Sequence, residues 1–264
     1  MIRKIQFNNK IVNFRDEGKG NVVVLLHGYL ETFDVWTEFS ETLSKTFRVI
    51  SIDLLGHGQS GTFDVNTMDL MSDAVNAVLV HQNIDKCVMF GHSLGGYVTL
   101  AFADNYANKL LGFSLFHSSA YSDTEEKINN RQREIELVNK GKKQLIINAN
   151  IPQIFANDNQ IKFNTIIKKI KEKALLTSNE GVIATLKGMM QRPDRTNVLK
   201  NTKIPVLYFI GAKDNFIPVN VALKQAELSN KIKVVVLQNS GHMGFVEEKD
   251  KSVREVSCFV NDCY

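Results

Sequence analysis

The chain is predicted to fold as an α/β protein: a mostly parallel sheet of eight strands, helices on both faces, and a helical cap inserted after the sixth strand. Three observations predict it. Short, β-branched, nearly continuous apolar runs recur along the chain, the pattern of strands buried on both faces. Helix-like segments alternate with most of these runs, which argues a parallel sheet. One gap of more than 80 residues breaks the alternation and carries helical patterning only.

In chain order, IQFNNKIVNFRDEG reads as two short strands around the turn NNK, a hairpin at one sheet edge. NVVVLLHG, FRVISIDLLG, KCVMFGHS, LLGFSLFH, IPVLYFIGAKD and KVVVLQNSGH supply the other six strands. WTEFSETLSK, TMDLMSDAVNAVLVHQN, LGGYVTLAFADNYANK and VALKQAELS are the helical segments between them. The long gap holds EEKINNRQREIELVNKG, KFNTIIKKIKEKALL and NEGVIATLKGMMQ. In the second of these, Ile166, Ile167, Ile170 and Ala174 fall on one helical face while Lys168, Lys169, Lys171 and Lys173 point away. The expected division is a core of residues 1–120 and 200–264 with a cap of 121–199.

Composition is that of an ordinary globular chain: 264 residues, 44% hydrophobic and 23% charged. The first residues alternate apolar and polar and lack the apolar stretch of a secretory signal. No uncharged apolar run approaches the roughly 20 residues that span a bilayer. The expectation is a soluble, cytoplasmic protein without a transmembrane segment. Cys87, Cys258 and Cys263 have no metal-ligand spacing and read as reduced thiols. Residues 124–203 hold 16 Lys/Arg against 8 Asp/Glu, while the remainder holds 16 against 20, so the basic character is concentrated in the cap.

The chemistry starts at FGHSLGGYV, residues 90–98. An apolar strand precedes it and a helix follows, and Gly91 and Gly95 flank Ser93 in G-x-S-x-G. So sharp a turn strains the middle residue and crowds its neighbours, so small residues two positions either side are required. The Ser93 hydroxyl then projects at the carboxyl end of the sheet, where sites in open α/β sheets lie. A serine needs a base and the base an orienting acid. His242, in NSGHMGF after the last strand, is the candidate base; Asp214, in GAKDNFIP after the preceding strand, is the candidate acid. The order Ser, Asp, His fits this arrangement. Asp123, after the sixth strand, is the alternative acid. HGYLET turns at Gly28, so the N–H groups of Tyr29 and of Leu94 are the candidate oxyanion donors.

HGYLET, DLLGHGQS, GHSLGGYV, GAKDNFIP and SGHMGF, spread over nearly the whole chain outside the cap, resemble the α/β-hydrolase superfamily, in particular its small capped single-domain members. The resemblance implies an eight-stranded, mostly parallel sheet and a hydrolytic site that uses no cofactor. Haloalkane dehalogenases and many epoxide hydrolases look similar but place aspartate where this chain has Ser93, which argues against both activities.

Trp36, Phe33, His117 and Met243 are candidate walls of the substrate pocket. His27 and His57 read as loop organisers, Asp53 as an acceptor for loop amides, His92 as packing beneath the elbow and His81 as solvent-facing. No histidine pair has metal-site spacing, and nucleic-acid binding lacks an aromatic-interleaved basic motif. The basic cap reads first as a solvated helical face and second as a recruiter of anionic substrate. The expected activity is cleavage of a small or medium carboxylic ester through an acyl-enzyme, rising through roughly pH 6 to 7 as the base becomes neutral. Thioester cleavage, carbon–carbon bond hydrolysis, lyase chemistry and slow-turnover ligand sensing are the alternatives, so the expected partner is a small-molecule ester or thioester substrate. Oligomeric state has no sequence signal.

Overall fold

The computed structural model describes residues 1–264. Eight strands form one sheet: β1 Ile2–Phe7, β2 Lys10–Glu17, β3 Val22–Leu26, β4 Arg48–Ile52, β5 Cys87–His92, β6 Leu110–Phe116, β7 Val206–Gly211 and β8 Ile232–Leu237. Their order across the sheet is β1-β2-β4-β3-β5-β6-β7-β8. β1 pairs antiparallel with β2 and β2 with β4; every other pairing is parallel. The hairpin turns at Asn8 and Asn9, both with positive φ (46° and 62°), a conformation asparagine tolerates better than most residues.

The helices are α1 Thr37–Leu43, α2 Met68–His81, α3 Leu94–Asn105, α4 Glu125–Asn139, α5 Lys143–Gln153, α6 Asn164–Leu176, α7 Asn179–Gln191, α8 Thr196–Asn201, α9 Val219–Ala226, α10 Gly244–Glu247 and α11 Lys249–Cys263. Both faces of the sheet are covered. On β5 the Phe90 ring lies 6.0 Å from Phe259 of α11, whereas the next residue, Gly91, packs against Gly95 and Thr99 of α3. Successive strand residues point to opposite faces, so α11 and α3 sandwich the sheet. Central strands β3, β5, β6 and β7 are buried almost throughout, as their unbroken apolar runs require. No helix is long and apolar enough to cross a membrane.

Between β6 and β7 the chain forms α4 to α8. Three of these match the expected segments; α5 and α8 were not expected, and neither was α11. On α6, Ile167, Ile170 and Ala174 are buried and Lys168, Lys169 and Lys173 exposed, the amphipathic pattern in its simplest form. This helical segment is tied to the strand ends at several points. Asp123 sits between Arg131 (2.6 Å) and Arg192 (2.8 Å), its carboxylate fully buried. Arg192 also lies 3.9 Å over the Tyr97 ring of α3. Tyr29 Oη donates to Glu134 of α4 at 3.2 Å, and the His242 amide donates to the Ile154 carbonyl at 2.8 Å.

Candidate active site

β5 runs into α3 through Ser93, whose φ of 49° and ψ of −111° lie outside the regions an L-residue adopts freely. The flanking glycines allow this. A Cβ on Gly91 would collide with the Gly95 carbonyl and Thr99 Oγ1, and one on Gly95 with the Leu26 and His27 carbonyls. The elbow is clamped by the end of β6. The Ser93 amide donates to the Phe116 carbonyl at 3.0 Å, and Ser118 Oγ donates to the Ser93 carbonyl at 2.7 Å.

Asp214 and His242 come together from the ends of β7 and β8. His242 Nδ1 donates to Asp214 Oδ2 at 2.8 Å. Asp214 Oδ1 accepts the Phe216 and Ile217 amides at 2.8 and 3.0 Å. Its carboxylate is 1% exposed. Burial alone would raise its pKa, but the His242 and His117 rings override burial and hold it well below the usual carboxylate range. Asp123, engaged with its two arginines, makes no contact with His242.

His242 is held beside the elbow by His92. His92 Nε2 donates to the His242 carbonyl at 2.8 Å, and the two rings lie 5.0 Å apart. His92 Nδ1 lies 3.0 Å from Glu31 Oε2, and that same oxygen accepts the Gly28 amide at 2.6 Å. Glu31 therefore joins the turn before Tyr29 to the strand that carries Ser93. Burial works to raise its pKa, and His92 outweighs burial to leave it lowered. Ser93 Oγ and His242 Nε2 have no hydrogen-bond partner, and no hydrogen bond joins them to each other. The Tyr29 and Leu94 amides likewise donate to no acceptor within the protein.

The loops around this cluster are organised by buried neutral histidines. His27 Nε2 accepts the Leu54 amide at 2.9 Å and its Nδ1 donates to the Gly28 carbonyl at 2.8 Å; His57 Nε2 accepts the Leu30 amide at 3.3 Å. Asp53 accepts the Phe33 and Gln59 amides. His92 is buried beneath the elbow and His81 is exposed.

Two of the expected pocket walls, Trp36 and His117, lie in the core. Trp36 is fully buried, 3.9 Å from the Phe245 ring and packed against Phe39 and Phe116, because so large an apolar surface is held better by the core than by a cavity. His117 is also buried and stands behind Asp214, Nδ1 to Oδ2 3.6 Å. Phe33 packs under the Arg15 guanidinium at 4.6 Å. Met243 does line a cavity of about 780 Å³, which lies between α1, α6 and the α10–α11 turn with Phe39, Phe163, Ile170 and Phe245 among its walls. None of Ser93, Asp214 and His242 lines it. Glu31 and Ser118 had no sequence signal as site-builders, because their roles depend on what folding brings to within 3 Å.

Comparison with known proteins agrees with this architecture. A family profile described as the alpha/beta hydrolase fold matches residues 21–134. A thermophilic esterase from Thermogutta terrifontis, solved with malate bound, superposes with a TM-score of 0.94 at 30% identity, covering 100% of this chain and 99% of that one. The dihydrolipoyllysine-residue acetyltransferase component of an acetoin cleaving system from Pseudomonas putida is 30% identical over 248 residues, 91% of this chain but only 64% of the relative's length. A pimeloyl-(acyl-carrier protein) methyl ester esterase from Aliivibrio fischeri is 24% identical over 94% of this chain and 96% of its own. With the strand order, the strained serine elbow and a 30%-identical esterase structure matched over 99% of its length, the chain belongs to the α/β-hydrolase family and is a hydrolase.

Proposed function

We propose that the protein cleaves small or medium carboxylic esters through an acyl-enzyme on Ser93. The observation that carries the reading is the buried Asp214–His242 hydrogen bond held beside a strained serine at the end of β5. His242 Nε2 takes the Ser93 proton as Oγ attacks the ester carbonyl, and the Tyr29 and Leu94 amides stabilise the oxyanion. The protonated His242 then gives its proton to the departing alcohol as the carbon–oxygen bond breaks. Water, deprotonated by the same ring, releases the acid and regenerates the hydroxyl. Asp214 holds His242 in the Nδ1–H tautomer and stabilises its cation. The names of the Thermogutta and Aliivibrio relatives support ester cleavage as the reaction class.

A nitrophenyl ester series with acyl chains of graded length, run with Ser93→Ala beside the wild type, tests the proposal. Turnover with a chain-length optimum, reduced on the order of 10⁴-fold or more in the variant, is expected. Equal rates for the two proteins, or no turnover of any ester, would sink it.

A further inference from the structure

β6 is followed by a residue in an unfavourable backbone conformation whose side chain keeps one nitrogen without a formed hydrogen bond. His117 has a φ of 48°, a left-handed region that few non-glycine residues occupy. Its ring is buried. Nε2 accepts the Gly244 amide at 3.1 Å, and Gly244 has no Cβ where one would strike that ring. A ring nitrogen that accepts carries no proton, so the proton of the neutral ring sits on Nδ1. Burial lowers His117 to about 4, which keeps the ring neutral at pH 7.

Nδ1–H has one anionic neighbour, Asp214 Oδ2 at 3.6 Å, just beyond hydrogen-bond length, and no other partner. The same oxygen receives His242 Nδ1 at 2.8 Å, while the other carboxylate oxygen is filled by two backbone amides. A buried donor left a few tenths of an ångström short of a carboxylate calls for a functional explanation. The remaining polar groups facing this cluster are His92, bonded to Glu31, and Tyr208, whose phenol burial keeps protonated and which donates to the Ser118 carbonyl at 2.6 Å.

We propose that His117 is a positioning residue for Asp214: a second, neutral N–H donor on the oxygen that orients His242, which fixes the plane of the carboxylate and tempers its basicity toward the catalytic ring. The inference rests on the reading of Ser93, His242 and Asp214 as the triad. Its consequence has a definite sign. A carboxylate that loses a donor becomes more basic, so it holds the His242 proton to higher pH. The base is then freed later on the pH scale, and the acid limb of the kcat/KM profile moves upward.

Two variants separate this role from simple packing. His117→Gly suits the left-handed backbone and deletes the donor; His117→Asn also tolerates that backbone and places an amide N–H near the position of Nδ1. With the best nitrophenyl ester of the series as substrate, His117→Gly is expected to lose roughly tenfold in kcat with KM within about twofold, and its acid limb to rise by roughly half a pH unit. His117→Asn is expected to recover most of both, although it too lacks the ring that accepts from Gly244. An acid limb that stays in place in His117→Gly, or equal defects in the two variants that follow their melting temperatures, overturns the positioning role. Ser93→Ala in the same assay keeps the two ideas apart. If it is active, the triad reading fails; if it is inactive while His117→Gly keeps the wild-type limb, only the inference about His117 fails.

Discussion

Glu31 is 2% exposed, yet it is a carboxylate with two groups within hydrogen-bond reach, the Gly28 amide at 2.6 Å and His92 Nδ1 at 3.0 Å, and His92 in turn holds the His242 carbonyl through Nε2. Removing Glu31 leaves the buried Gly28 amide and His92 Nδ1 without their acceptor, and a buried group left unsatisfied costs about 1–3 kcal/mol each. Glu31→Ala is therefore expected to cost about 3 kcal/mol or more in urea denaturation, whereas Glu31→Gln, which still offers an oxygen to Gly28, costs less. An Ala variant as stable as wild type would mean the loops are held elsewhere. The same local reading distinguishes the two candidate acids. Asp214→Asn disturbs the carboxylate that fixes the His242 tautomer and is expected to lower kcat on the order of 10⁴-fold. Asp123→Asn leaves kcat near wild type while lowering stability by about 3 kcal/mol, since two arginines lose their shared anion. The reverse pattern would reassign the acid.

At the scale of elements, the strands and the elbow were legible because each is specified by a few adjacent residues. The runs around Val22–Leu26 and Val206–Gly211 are apolar without a break because both faces of their strands are covered, and no helix of similar length shows that pattern. G-x-S-x-G was legible because the clash it avoids is local, between residues 91 and 95. What was not legible depends on distant partners. α11 buries Ser252, Val256, Phe259 and Val260, a stripe at helical spacing that the charges around it obscured. His117 and Trp36 read as pocket walls because they follow strand and turn signals, but whether such a side chain faces a cavity or the core is decided by α10 and β7, more than ninety residues further along the chain. The helical segment α4–α8 was legible as helices and not as a binding surface, since its contacts to the strand ends run through single pairs such as Tyr29–Glu134.

For the molecule as a whole, the buried histidines make stability depend on pH in a direction that can be worked out. Burial lowers His27 to about 4 and His57 to about 3, against an ordinary value near 6.5 in the unfolded chain. Below pH 6.5 the unfolded state takes up protons that the folded state refuses, so the stability these rings provide is intact above that pH and drains away as pH falls toward their folded values. Each ring contributes a slope of about 1.4 kcal/mol per pH unit in that window, so moving from pH 6.5 to pH 5 removes about 2 kcal/mol for each of the two. Asp53 and Glu247, whose carboxyls burial raises, act in the opposite sense and soften the fall at the acid end. His57→Gln keeps an acceptor for the Leu30 amide and cannot titrate. Its urea-denaturation free energy measured at pH 7 and pH 5 is expected to fall less than that of wild type, by about one ring's share. A variant with the full wild-type pH dependence would show that His57 gains its proton within the fold, and that the HGYLET loop is open to water near pH 5.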